Sequence, residues 1–414
     1  QQHTIRTLSV VQVLTGIGVA SGVAAGSLLV AAVSGSEFLA GLAQTSGVIG
    51  AAVAAVPLAR LSSQYGRRAG LVAGLVTATA GAAVVIAGAV LDQVLVILVG
   101  TFFVGMATAV GLQVRYAAAD LASPLRLARD LSVVVWATTI GAVLGPNLMQ
   151  PAADLADRLA MPPLSGPYLV TALALALAAV VIGVALRPDP LLVARASRGE
   201  PMQPAHVSFR SAVRIVTASF DATYGVMALA IGHCVMVMVM VMTPVHMQHV
   251  DVTLSIIGLV ISVHILGMYA FSPLVGSLTD RVGARLVIAV GSCILLVATV
   301  IAGTAPGDGV IQLGVGLFAL GLGWSFTLIA GSALVTSSVA AADRPAAQGV
   351  GDTVMNTAAA VGGVVAGVVV SQASYGWLNA SAAVLVVALL VAGGRHGFTA
   401  RHRGKSVGEP SGVS

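Results

Sequence analysis

The chain has 414 residues, 57% of them hydrophobic and 8% charged, with a net charge of +5 and a mean hydropathy of +1.00. A soluble domain carries roughly 25% charged residues, so this composition excludes a water-soluble enzyme. It also calls for an origin of the basic balance other than nucleic-acid binding. Two cysteines, Cys234 and Cys293, give no disulfide framework.

Apolar runs of about 20 residues, enough to cross a bilayer, recur near 8–33, 38–60, 69–91, 93–117, 131–150, 167–187, 224–248, 253–278, 285–304, 309–336, 350–371 and 375–394. The first is too long for the apolar core of a cleavable signal and is read as a span. With an even number of spans and the N-terminus inside, every Lys and Arg except Arg158 falls on the inner side. That is the positive-inside bias, and it accounts for the excess of base. The outer loops then hold Glu37, Asp92, Asp154, Asp157, Asp251 and Asp308, a face that attracts small cations.

After the second span come Pro57-Leu58 and then Gly66-Arg67-Arg68; the fourth carries Arg115 near its inner end, read as an inner-surface anchor. In the fifth, Gly141, Gly145 and Pro146 predict a thin, kinked helix that packs closely. Segment 188–222, with Pro188, Pro190, Pro201 and Pro204, reads as a cytoplasmic linker. It separates two six-span bundles, 1–187 and 223–394, and leaves 395–414 as a polar, disordered cytoplasmic tail. The halves repeat weakly. Pro57-Leu58 leading to Gly66 matches Pro273-Leu274 leading to Gly283, and Gly141 and Gly145 match Gly363 and Gly367, as in duplicated bundles.

The seventh span concentrates soft metal ligands: five of the twelve methionines, Met236, Met238, Met240, Met242 and Met247, lie close together, with His233, Cys234, His246 and His249 around them. Thioether and imidazole suit Cu(I), whereas Mg or Ca calls for oxygen. At about 100° per residue, Met236 and Met240 share a stripe with His233 and Met247, while Met238, Met242, Cys234 and His249 form the opposite one. In the eighth span His264 and Met268 are four residues apart, hence on one face. An imidazole inside a span is costly and points to a functional or paired group. Met236, Met240, His264 and Met268 fall at similar depth, with His233, Cys234, His246 and Met247 as auxiliary ligands. In the eleventh span Asp352 is the clear intramembrane carboxylate. It can couple transport to protons or be held by Arg344.

Gly276-Ser-Leu-Thr-Asp280-Arg281-Val-Gly283-Ala-Arg285 resembles the signature loop of the major facilitator superfamily, between spans eight and nine. The resemblance implies an all-α membrane protein with twelve spans in two pseudo-symmetric bundles, a cargo site near the midplane and alternating access. It also implies that Gly276, Asp280, Arg281, Gly283 and Arg285 form a conformational latch. The first-half copy has Ser63 and Gln64 where the family has Asp and Arg, which puts a charged latch there in doubt.

Met236-x-x-x-Met240 followed by His264-x-x-x-Met268 is similar to the paired motifs of the CcoA-like (CalT) copper transporters, a branch of this superfamily that imports copper for cytochrome oxidase assembly. By that resemblance these four residues bind copper as cargo, with no prosthetic group. The expected setting is a bacterial cytoplasmic membrane, with a monomeric chain in the lipid bilayer, both termini inside and no nucleic-acid partner. Two alternatives stand beside it. Gly141, Gly145 and Pro146 resemble the core of the signature of proton-coupled drug exporters, and a copper-binding assembly factor need not transport. No motif for catalysis is present.

Overall fold

The computed structural model describes residues 1–35, 37–199, 208–248, 254–306 and 308–405. Twelve helical segments among them are long and apolar enough to span a membrane. The first half comprises α1 (Gln2–Ser34), α2 (Glu37–Tyr65), α3 (Arg67–Val90), α4 (Val94–Ala119), α5 (Leu127–Asn147), the short α6 (Met149–Arg158) and α7 (Gly166–Ala185). The linker holds α8 (Pro190–Ser197) and α9 (Phe209–Ala218). The second half comprises α10 (Phe220–Gln248), α11 (Leu254–Tyr269), α12 (Ser272–Val282), α13 (Ala284–Gly303), α14 (Val310–Ser337), α15 (Arg344–Gln372) and α16 (Tyr375–Lys405).

Several boundaries differ from the sequence expectation. The eighth span is two helices, α11 and α12, interrupted at Ala270 and Phe271. Pro273 at the start of α12 lacks an N–H and cannot continue the ladder of α11. The fifth span ends at Asn147 and is followed by α6, α10 begins inside the segment read as linker, and α16 continues through 395–405. Pro201, Pro204, His249 and Asp251 lie outside the described residues.

The duplication is visible in backbone geometry. Gly66 and Gly283 stand at the N-caps of α3 and α13 with φ of 92° and 93°, a region that favours glycine. The packing repeats as well: α1 on α5 and α3 on α4 in the first half correspond to α10 on α15 and α13 on α14 in the second. Between the halves, α2 lies along α15 and α12 along α5.

Small residues set the helix spacing, as expected where apolar solvent supplies no hydrophobic drive between spans. A Cβ on Gly141 would come 2.5 Å from the Val13 carbonyl oxygen and 2.7 Å from the Ile17 nitrogen of α1. One turn on, the Ser21 hydroxyl donates to the Gly145 carbonyl at 3.0 Å. Pro146 follows at the end of α5. Apolar clusters fill each bundle, and one around Tyr116, Leu131, Tyr224, Val275 and Ile329 bridges both at the end where the linker lies.

Candidate functional site

The second-half loop acts through its carboxylate. Asp280 accepts from the backbone N–H groups of Ala128 and Arg129, both at 2.9 Å. These are first-turn amides of α5, so a side chain of one bundle caps a helix of the other, with its charge at the positive end of the dipole. Gly276 permits the approach: a Cβ there would sit 2.5 Å from the Ala128 carbonyl and collide with the Ser132 hydroxyl. Arg285 donates to Asp221 at 2.6 Å, within its own bundle; Arg281 is exposed.

We expect D280A to cost about 1–2 kcal/mol of cap energy. That raises the population open at the linker end about 5–30-fold. The check is a distance distribution between spin labels placed across the α5–α12 seam.

The first-half copy forms a latch despite lacking the family's acid. Arg67 is buried, with Nε to Asp120 Oδ2 at 2.7 Å and Nη2 to Asp120 Oδ1 at 3.1 Å. The same Nη2 reaches Gln348 Oε1 of α15 at 2.7 Å, and Gln348 in turn donates to Thr336 of α14 at 3.1 Å. Asp189 serves this corner from the linker: it accepts from the Arg68 N–H at 2.8 Å and caps α8 through Leu191 and Leu192.

Arg115 is not a surface anchor. Its side chain is 1% exposed, and Nη2 lies 2.7 Å from Oδ1 of Asp352, which is 0% exposed. Nε donates to Ser332 of α14 at 3.0 Å, and the guanidinium stands over the Tyr116 ring at 4.5 Å. Although only one turn from the end of α4, it is covered by α14 and α15 of the other bundle. The partner of Asp352 is therefore Arg115 and not Arg344 as the charged group in its own helix. Arg115 Nη1 and Asp352 Oδ2 are buried with no hydrogen-bond partner.

The soft ligands occupy different walls of the second bundle. His264 is 0% exposed, and its Nδ1 lies 2.8 Å from the Leu317 carbonyl of α14. A carbonyl only accepts, so Nδ1 carries the proton, and Nε2, buried and without a protein partner, presents its lone pair. Gly321 of α14 packs against His264 and Met268. Met236 and Met268 are buried in one apolar cluster, against which Met240 packs. The helix α14 packs broadly on both α10 and α11, which touch each other little.

The auxiliary residues divide. Trp324 Nε1 donates to His233 Nδ1 at 2.8 Å, occupying that lone pair, and Tyr269 meets the Trp324 ring edge-on at 5.6 Å. Cys234 Sγ lies 3.8 Å from Met238 Sδ, on the side of α10 facing Gly362 of α15. His246 stacks on Tyr375 at 4.4 Å with Nε2 3.2 Å from the Ala305 carbonyl. Met247 is fully buried. Among the described residues no group of three or more His, Cys, Asp or Glu comes together, so a metal bound here relies on thioethers.

Sequence reasoning missed Asp120 and Ser332 as functional positions, and read Arg67 only as the remnant of a degraded loop and Gln348 only as a neighbour of Asp352. The sole available signal was a charged or amide side chain in an otherwise apolar span.

The fold and its cross-bundle latches define a transporter architecture of two rocking halves. The chain belongs to the major facilitator superfamily, whose sequence profile matches residues 7–251 and 225–407. It is 36% identical over 389 residues to the uncharacterized MFS-type transporter YdeG of Bacillus subtilis, covering 94% of this chain and 90% of that one. It is 26% identical over 344 residues to the riboflavin transporter RfnT of Brucella anthropi, covering 83% of each. Its fold is similar to that of the proton:xylose symporter XylE, with a TM-score of 0.75 and 15% identity over 94% of each chain.

Proposed function

We propose that this transporter imports copper as Cu(I), bound by Met236 and Met240 of α10 with His264 and Met268 of α11, across a bacterial cytoplasmic membrane with both termini cytoplasmic. The observation that carries the reading is the Nε2 of His264. A ring fixed through Nδ1–H on a backbone carbonyl, with its other nitrogen free in an apolar setting, is the arrangement of a metal-ligating histidine. The thioethers of Met236, Met240 and Met268 would supply soft, neutral donors. Neutral ligands hold copper without the tight grip of thiolates, which permits release when the bundles rock.

Copper uptake into vesicles containing the purified protein tests this. H264A, and separately M236L together with M240L, should abolish accumulation while the protein still reconstitutes. Uptake at the unsubstituted rate in H264A overturns the assignment.

A second reading, an organic solute as cargo, is favoured by the similarity to a riboflavin transporter and by the His233, Trp324 and Tyr269 aromatic group. It expects the methionine variants to be nearly silent and W324A to be severe. Competition by organic cations separates the two.

A further inference from the structure

The turns that open α3 and α13 are equivalent, each with glycine at the N-cap and an arginine two residues on, Arg68 and Arg285. Their surroundings differ. Arg285 pairs with Asp221, an acid in the first turn of α10. The first turn of α1 carries no acid, and the Arg68 guanidinium makes no ion pair among the described residues. Asp189 is engaged elsewhere, on the Arg68 backbone N–H and on the first turn of α8.

Arg68 instead lines a groove of about 580 Å³ between α3 and α7, and Arg187, just past the end of α7, lines the same mouth. Arg187 folds back over its own helix, with Nε donating to the Gly183 carbonyl at 3.3 Å. The groove walls include Val72 and Val76 of α3, and its floor is empty at Gly183, where a Cβ would meet nothing within 4 Å. This side of the bundle faces lipid: Leu173, Leu177, Val180 and Val184 recur at helical spacing along α7 and are all exposed, as is Val76. Thr77, at the far end of the groove, lies about 14 Å along α3 from Arg68. That is close to the hydrocarbon thickness of one leaflet, about 15 Å.

We propose that this groove binds an anionic glycerophospholipid from the leaflet at the linker end, with its phosphate between Arg68 and Arg187 and one acyl chain along Val72 and Val76. The proposal rests on the membrane-spanning fold and is independent of which cargo is carried.

Two guanidinium forks match phosphate oxygens in charge and in geometry. A basic pocket between spans on one side of the membrane selects acidic headgroups; a choline headgroup would bring its own cation against both arginines. The bound lipid takes the place that Asp221 holds in the second half. It also joins the start of α3, where Arg67 makes its contact with Gln348, to the end of α7, where the linker departs.

The test titrates the full chain in detergent with dioleoylphosphatidylglycerol or dioleoylphosphatidylcholine and reads the first bound lipid by native mass spectrometry, with thermal unfolding alongside. Phosphatidylglycerol should bind and raise the unfolding temperature, while phosphatidylcholine, with the same chains, should do neither. R68Q and R187Q should each weaken binding about fivefold, and together about 30-fold. G183L keeps both arginines and fills the floor, and it should weaken binding as well. Equal binding of the two lipids, or parent-like binding of phosphatidylglycerol by the double variant or by G183L, overturns the proposal. So does protection by glycerol 3-phosphate alone that equals protection by the lipid, which would make this a site for soluble phosphate. If the double variant does not fold, the parent's choice between the lipids and the G183L result decide it. Copper uptake plays no part in this readout, so its failure is separate.

Discussion

R115L should destabilise the folded protein by about 3–5 kcal/mol, because it leaves the Asp352 carboxylate buried with no counter-ion. The magnitude comes from the asymmetry of buried pairs: both partners together roughly balance their desolvation, while one alone bears the whole cost. Three hydrogen bonds from the guanidinium, to Ser332, Tyr116 and Asp352, disappear at once. The double variant R115L with D352N removes the stranded charge and should recover most of the loss. Thermal unfolding of detergent-solubilised protein reads both. A single variant as stable as the parent would mean that Asp352 is already neutral in the folded protein.

R67K should open the linker end although it conserves charge. Arg67 places two nitrogens on Asp120 and shares one of them with Gln348 of the opposite bundle. An ammonium is a point donor without that planar fork, and keeping Asp120 satisfied pulls it away from α15. A hydrogen bond to a charged group contributes about 1.5–3 kcal/mol. Its loss should shift the closed population by about an order of magnitude or more. Spin labels at Y65C and A342C, exposed positions at the linker ends of α2 and α15, measure that shift, and an unchanged distance distribution would place the closing force elsewhere, on the Arg115–Asp352 pair, Asp280 and the apolar seal. R67A should instead behave like R115L, since Asp120 is left buried and alone.

Spans, halves and signature loop were legible because each is written locally. A run of apolar residues fixes a span, and the repeated glycines mark the same turn in both halves. The charged network was not legible, because its partners lie 237 and 281 residues apart and only the docking of the two bundles, with α2 along α15, unites them. The first-half loop misled for a related reason: reading Ser63 for Asp suggested a missing latch, while the function had moved to Arg67 and its distant amide. In the seventh span, helical spacing separated Met236 and Met240 from Met238 and Cys234. It gave no sign that Trp324 takes one nitrogen of His233, nor that α14 carries the carbonyl that orients His264.

The interruption at Ala270 and Phe271 splits one crossing of the membrane into two rods. The rod bearing His264 is registered to α14 of its own bundle, and the rod bearing Asp280 to α5 of the other. The carbonyl that orients His264 and the amides that Asp280 caps thus belong to different helices of different bundles. A lineage can therefore exchange one cargo for another by substitutions confined to a few helical turns, inheriting its switching machinery unaltered.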